Sequence, residues 1–259
     1  MLLENRIAIV TGGAGRLGKV IASVLQREGA AVAVADQDRV RIDAVVATLK
    51  DRPAAGLVCD VSDGDSVARM VNEANAALGQ VDLLVNCHGY VPNAPLIEMD
   101  VADWDKVFAV NCRGVMLTCQ AVARQWIMRE IKGAIVNISS GAGRSARAGS
   151  AHYASSKAAV NMMTEVMAIE LGPYGIRVNA VAPGLVMDEV ITAEQPNIHP
   201  YLNMMLKMTP IGRTGAPQDI AEAVAFVAST RAAWTTGAVL EVDGGSHCGR
   251  PHVPLTGKL

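Results

Sequence analysis

The chain has 259 residues, 51% of them hydrophobic, with a formal net charge of −2 and a pI near 6.2. That length and apolar content suit one large α/β domain with a sizeable core. The charge balance gives nucleic acid or an acidic membrane surface nothing to hold, and with 3% aromatic residues a base-stacking platform is not expected. The cysteines Cys59, Cys87, Cys112, Cys119 and Cys248 are odd in number and contain no Cys-x-x-Cys pair. Neither a disulfide framework nor a metal site is therefore expected, and a reducing compartment fits better.

No apolar run reaches the roughly 18 residues of a transmembrane helix. The N-terminus shows no cationic leader with a hydrophobic stretch and cleavage site. A soluble, cytoplasmic protein without membrane partners is expected. Arg6 leads instead into Ile7–Thr11, the first of seven short apolar runs. The others are Ala31–Asp36, Gly56–Cys59, Leu83–Asn86, Ala134–Ser139, Arg177–Ala182 and Val239–Val242. Each is too short for a helix, and most are rich in valine or isoleucine without polar alternation, as in parallel strands covered on both faces. Helical stretches of about ten or more residues separate them, as crossover connections require. The pattern predicts a single α/β domain over 1–259, a Rossmann-type doubly wound parallel sheet of about seven strands with helices on both faces. The stretch from Pro183 to about Pro217, broken by Pro183, Pro196, Pro200 and Pro210, predicts a substrate lid over about 185–216. The tail 246–259 either crosses to a neighbouring subunit or is disordered.

The first run enters Thr11-Gly12-Gly13-Ala14-Gly15-Arg16-Leu17-Gly18, with a helical pattern following through Lys19–Arg27. Glycines at such a strand-to-helix turn admit a close ligand, and the free N–H groups of a helix N-terminus suit a pyrophosphate. A plain tight turn would look the same. The second run ends at Asp36, about 20 residues on, where dinucleotide folds place a ribose-reading acid. A carboxylate there accepts from both ribose hydroxyls and repels a 2′-phosphate; the alternative is that it caps the next helix. NAD is therefore expected over NADP, with Arg16 as the group that would meet a phosphate. Asp60 and Asn86-Cys87-His88-Gly89 end the third and fourth runs at the carboxyl edge, where ligands bind. Asp60 would bond an adenine amino group and Val61 would pack its ring, or both are cap and turn residues.

Tyr153 and Lys157 lie one helical turn apart on one face. A neighbouring ammonium lowers a phenol pKa, which makes a general acid/base for an alcohol or carbonyl. A solvated helix face would read alike. Ser140 ends the fifth run, so its hydroxyl could stand beside Tyr153 and hold a substrate oxygen. Asn111 is a polar break in a helical stretch, either exposed or holding a water that links Lys157 to solvent.

Taken together, the turn at Thr11–Gly18, Asp60, Asn86–Gly89, Asn111, Ser140, Tyr153-x-x-x-Lys157, Pro183-Gly184 and Val242-Asp243-Gly244-Gly245 resemble the classical short-chain dehydrogenase/reductase family over essentially the whole chain. The resemblance implies hydride transfer between NAD(H) and a secondary alcohol or ketone. Polyol or sugar oxidation and 3-oxoacyl thioester reduction are alternatives within the family, and a silent NAD-binding scaffold or a methyltransferase lies outside it. It implies Tyr153 as acid/base, Ser140 orienting the substrate oxygen, Lys157 on the nicotinamide ribose and Asn111 in a proton relay. Gly12, Gly15, Arg16, Leu17, Gly18, Asp36, Asp60, Val61, Asn86, Gly89, Tyr153, Lys157, Pro183, Gly184 and Val186 would bind the cofactor. A homotetramer is also implied.

Three positions depart from the family pattern. Arg16 stands where a glycine is usual, and Cys87-His88 replaces Asn-Ala, with His88 read as a packed neutral residue rather than a cofactor contact. Asp188 occupies the place of a threonine; it either points away from the pyrophosphate or is replaced in that role by Thr192. His152 is read as a substrate-pocket or interface residue. The lid methionines Met187, Met204, Met205 and Met208 are either core or a flexible apolar pocket lining. For a thioester, Arg144 and Arg147 are the nearby cations.

Overall fold

Seven apolar runs become seven strands: β1 (Ile7–Thr11), β2 (Ala31–Asp36), β3 (Ala54–Val58), β4 (Leu83–Asn86), β5 (Ala134–Ile138), β6 (Arg177–Pro183) and β7 (Val239–Val242). A computed structural model describes residues 1–249, and in it these strands form one parallel sheet in the order β3-β2-β1-β4-β5-β6-β7. The helices are α1 (Arg16–Arg27), α2 (Arg39–Val46), α3 (Gly64–Leu78), α4 (Val101–Phe108), α5 (Gly114–Met128), α6 (Ala151–Leu171), α7 (Pro200–Lys207) and α8 (Pro217–Ala228). The architecture is the expected doubly wound fold. The period of two along each strand divides its side chains between two cores. Ala8 and Val10 of β1 pack with α1, α2 and α8, while Ile9 packs with α3, α5 and α6.

The chain leaves β1 toward β2 and β3, then returns to place β4 on the other side of β1. The carboxyl ends of β1 and β4 therefore part their connecting segments to opposite faces and leave a crevice between them. Thr11 and Asn86 are paired neighbours at that edge, so the glycine turn and the segment after Asn86 face each other across it.

Boundaries shift where the apolar signal is weak. β3 begins at Ala54 rather than Gly56 and ends before Cys59. It is an edge strand paired to β2, and its two leading alanines carry no β-branched signature. β5 stops one residue short of Ser139, and β6 runs one further, through Pro183. The stretch read as irregular contains α7: Pro200 sits in its first turn, where a missing N–H costs nothing, and the His199 ring accepts from Tyr201 N at 3.2 Å. Bridges Val186–Gly215 and Thr192–Arg213 tie the two stems of this excursion together. Of the tail 246–259, Ser246–Cys248 forms a short turn and 250–259 lies outside the described residues.

Trp126 of α5 closes the core on one face, with its indole donating to Val81 O at 2.7 Å. Replacing it by Ala should cost about 3–5 kcal/mol, read as a lower urea midpoint at unchanged slope.

Candidate active site

The glycine turn is shaped by backbone contact. Gly12 has φ +62°, and a Cβ there would lie 2.6 Å from His88 Cα; at Gly18 a Cβ would overlap the Gly12 carbonyl. Both positions hold the turn tight against the end of β4. The N-cap of α1 is Gly15, with no side-chain cap and no acid in the first turn. The first N–H groups of α1, at Arg16, Leu17 and Gly18, are thus claimed by no side chain, the condition for an anion.

A cavity of about 350 Å³ opens beside the turn, lined by Gly12, Gly15, Asp36, Val61 and Gly89 among the expected residues. Asp36 does not cap α2, because Asp38 does. Its Oδ2 accepts from Ala14 N at 3.2 Å and its Oδ1 from Gln37 N at 2.8 Å, which fixes it at the cavity rim. Sequence reasoning missed Gln37, Arg41, Cys59, Cys87, Tyr90, Lys106 and Val110 in the lining. Arg41 donates to Ala14 O at 3.0 Å, so a guanidinium stands at the Asp36 end after all. It sits one turn into α2, and no local pattern marks it.

The other expected cofactor residues take varied positions. Arg16 donates through both terminal nitrogens to Val186 O at 3.1 Å and lies 3.5 Å from Asp188 Oδ1. It is therefore turned toward the lid base. Asp188 is exposed beside the Arg16 guanidinium, and Thr192 bridges to Arg213. Asp60 is outside the cavity lining; its Oδ1 accepts from Ser62 N and Oγ, which holds its pKa below the usual carboxylate range. Asn86 turns its side chain inward, accepting from Thr118 Oγ1 at 2.8 Å and donating to Asn137 Oδ1 at 2.9 Å. Gly184 follows Pro183 and abuts Asp243. Asp243 is saturated by Gly245 N, Ser246 Oγ and His247 N, so its nearness to Glu241 and His247 is explained by turn formation.

The expected catalytic residues meet at the rim of β5. Ser140 caps the short turn Gly141–Gly143, its Oγ accepting from Ala142 N at 3.1 Å, and it stands near enough to the Tyr153 phenol to lower its pKa. Accepting from the backbone leaves its own O–H free to donate. Lys157 is 4% exposed and donates to Ile138 O at 2.8 Å, with its ammonium 5.9 Å from the Tyr153 ring centre. Burial pushes its pKa down to about 8. The expectation that this ammonium makes the phenol acidic is corrected here. Burial raises the Tyr153 pKa, and the groups that oppose it are Ser140 and Arg147. An ammonium spent on a backbone carbonyl, itself disfavoured by burial, stabilises phenolate little.

Asn111 is fully buried in a π-helical turn, Ala109–Arg113, between α4 and α5. It accepts from Tyr90 N at 2.8 Å and donates to Tyr90 O and Ser156 Oγ, each at 3.0 Å. It is therefore not an exposed helix residue. A Cβ on Gly89 would lie 3.6 Å from Asn111 Oδ1 and 4.0 Å from Lys157 Nζ, so Gly89 packs beside both side chains. His88 is buried, bonded to Thr11 Oγ1 at 2.7 Å and held neutral with a pKa of about 3 by desolvation, and it also lines the cavity beside the glycine turn. His152 is fully buried within α6 rather than lining a surface pocket. Met204 and Met208 are exposed and Met187 and Met205 half-buried, so none is core.

A topological switch crevice with an uncapped helix N-terminus, a serine after β5 and a tyrosine and buried lysine on α6 define a dinucleotide-type α/β protein. A family model described as enoyl-(acyl carrier protein) reductase matches residues 13–247. A (3R)-3-hydroxyacyl-CoA dehydrogenase of Canis lupus familiaris is 36% identical, the match covering 94% of this chain and 96% of the relative. A cis-4-hydroxycyclohexanecarboxylate dehydrogenase of Sinomonas cyclohexanicum is 39% identical over 93% of this chain and 96% of its own. The crystal structure of a short-chain type dehydrogenase/reductase from Mycobacterium marinum aligns with a TM-score of 0.86 at 30% identity, over 95% of this chain and 97% of that one. The chain belongs to the short-chain dehydrogenase/reductase family, oxidoreductases that use nicotinamide cofactors.

Lys157 gives the site a pH signature. An unfolded lysine keeps its proton to its ordinary 10.5, the folded one to about 8. Between those values the unfolded chain binds more protons, so stability rises with pH across that window and the gain is lost as pH falls through 8. The thiols Cys59, Cys87, Cys112 and Cys119, whose pKa burial raises, act in the opposite sense in the same window, so the lysine is read as a difference: urea unfolding without cofactor should show a more positive slope in the wild type than in Lys157→Met. Equal slopes would reject the assignment.

Proposed function

We propose that this protein is an NAD-dependent dehydrogenase/reductase that moves a hydride between NAD(H) and the carbinol or carbonyl carbon of a small molecule, with Tyr153 as the acid/base. The observation that carries this reading is the convergence of Ser140, Tyr153 and Lys157 beside a glycine-lined cavity. The cavity fits a dinucleotide. Its floor is backbone, α1 ends there without a cap, and Asp36 is fixed at the far end. The α1 N-terminus would hold the pyrophosphate, Asp36 the adenosine ribose and Lys157 the other ribose. The bound nicotinamide supplies the hydride chemistry.

In oxidation, the Ser140 hydroxyl donates to the substrate oxygen and holds it against Tyr153. The phenol oxygen accepts the hydroxyl proton as its base form; in reduction it returns one. Lys157 keeps its ammonium at the junction of α6 and β5. Cofactor ribose hydroxyls beside it would give that charge further partners at the Tyr153 end. Asn111 bridges Tyr90 to Ser156 and, with Lys157, flanks Gly89; a relay carrying a proton from Lys157 toward solvent would pass by this pair.

The preference for NAD rests on Asp36. Its carboxylate accepts from ribose hydroxyls and repels a 2′-phosphate, while Arg41 on Ala14 O moderates that repulsion. Small polar or apolar alcohols fit the site, and the relatives act, by their names, on hydroxyacyl thioesters, a hydroxycyclohexane acid and D-threitol. A homotetramer is supported by exposed apolar residues on α6 (Met162, Val166, Ile169) and by Leu240 and Phe226 on β7 and α8. A reducing, cytoplasmic setting is supported by the free cysteines. Among the described residues no helix is long and apolar enough to cross a membrane.

Tyr153→Phe should lower kcat by about 10²–10⁴-fold while leaving the NAD dissociation constant within a factor of about three. Retained turnover would remove the phenol from the proton path. Asp36→Ala should raise the NADP-to-NAD ratio of kcat/KM about tenfold or more, and adding Arg41→Ala should reverse part of that gain. A ratio that ignores both changes would place discrimination elsewhere.

A further inference from the structure

The segment 144–150 joins the Ser140 turn to α6 and is pinned along its length. Gly149 O accepts from Ala94 N at 3.0 Å, and Ser150 Oγ donates to Arg147 O at 2.8 Å. It carries two arginines with different surroundings. Arg144 Nη1 lies 3.2 Å from Glu241 Oε1, whose side chain is 6% exposed, so that charge is already answered. Arg147 has no carboxylate within ion-pair reach among the described residues. Its guanidinium donates once, to the Tyr201 hydroxyl of α7, at 3.3 Å.

A guanidinium has five N–H donors arranged as a fork that matches a carboxylate. Four remain unused at Arg147. The Tyr201 hydroxyl, accepting from the arginine, keeps its own proton to donate in the same direction. One group comes from the segment that leads into the Tyr153 helix and the other from the lid, so an anion held by both would draw the lid onto the site. Arg147 is close enough for its charge to act on the Tyr153 phenol. Its other flank lines a largely apolar cavity of about 550 Å³ with Leu96 and Ala151. A single unpaired guanidinium suits one carboxylate; the several phosphates of a coenzyme A thioester would need more cations, and Arg144 is taken.

Resting on the dehydrogenase reading above, we propose that the substrate is a secondary hydroxy acid, or the matching oxo acid, whose carboxylate is held by Arg147 and Tyr201 away from the reacting carbon. The carboxylate takes no part in the exchange. A hydride leaves the carbinol carbon for NAD⁺ and the hydroxyl proton goes to Tyr153, giving the oxo acid and NADH. Substrate specificity is then an ion-pair selection made at the lid seam, separate from the chemistry at Ser140.

The test follows NADH formation with 3-hydroxybutanoate, 4-hydroxypentanoate and 3-hydroxycyclohexanecarboxylate, each beside its methyl ester, with 3-hydroxybutanoyl-CoA as the phosphate-bearing arm. At least one acid should exceed its ester in kcat/KM by about 10- to 100-fold, through KM. Arg147→Met should erase most of that ratio, Arg147→Lys should restore part of it, and Tyr201→Phe should lower it severalfold. Acid and ester turning over alike, or a ratio untouched by Arg147→Met, overturns the proposal. The thioester outpacing every acid, with Arg147→Met leaving its rate unaltered, overturns it as well. If acids, esters and neutral alcohols are all inert with NAD and NADP, the dehydrogenase reading has failed first.

Discussion

The buried ammonium of Lys157, donating to the carbonyl that ends β5, is the constraint around which the site is arranged. An ammonium taken from water must be given partners, and here the partner is a backbone oxygen at a strand terminus. That bond fixes α6 in height against the sheet. Further bonds repeat it down the helix: Ser139 Oγ donates to Asn161 Oδ1, and Asn137 Nδ2 donates to Thr164 Oγ1 at 3.0 Å. Positions 157, 161 and 164 share one helical face, and 137, 138 and 139 are consecutive in the strand. Each bond is worth roughly 0.5–1.5 kcal/mol net, yet losing any one strands a buried polar group at greater cost. The polar seam therefore holds register more than it adds stability. Tyr153, one turn before Lys157, is carried to Ser140 as a consequence.

This seam explains why the meeting of Ser140, Tyr153 and Lys157 was legible and its electrostatics were not. Four-residue spacing says that Tyr153 and Lys157 share a face, and a strand end followed by a short loop says that Ser140 can join them. Spacing does not say where the ammonium spends its hydrogen bonds. With the Ile138 carbonyl as its partner, the lysine lowers the phenol pKa less than proximity suggests, and burial dominates. Asn111 shows the same division. It stands out in sequence as a polar break, while the π-helical turn that buries it and aims it at Tyr90 leaves no periodicity to read.

The fold was legible where strands are buried on both faces and rich in apolar residues, as in β1, β2 and β4, and also at the edge strand β7, where valine and leucine keep the run apolar; the apolar runs match the limits of all four. It was less so at β3, where alanines on a sheet edge look like loop, and at α7, where Pro200 reads as a breaker although it begins a helix. The departures from the family pattern are also partly resolved by the fold. Arg16 and Asp188 are 172 residues apart and each looks misplaced in sequence. In space they stand 3.5 Å apart at the lid base. At nearly half exposure for the arginine, the pair is worth little in stability. Its effect is on orientation: it joins the start of α1 to the lid base.

The two halves of the site are built by different means, and this decides which half a sequence can disclose. The nucleotide half is mostly backbone: glycines, a helix end and one carboxylate, all within the first turns after β1 and β2. Backbone sites demand particular residue types at particular offsets, so they leave a pattern. The substrate half, as proposed, draws on side chains from segments with no period, exemplified by Arg147 and Tyr201, 54 residues apart and joined by one hydrogen bond. Nothing in either neighbourhood requires the other, because any pair of suitable length could span the seam. Chemistry tied to strand ends is therefore written in motifs, whereas the choice of substrate exists only once the lid has folded against the loop.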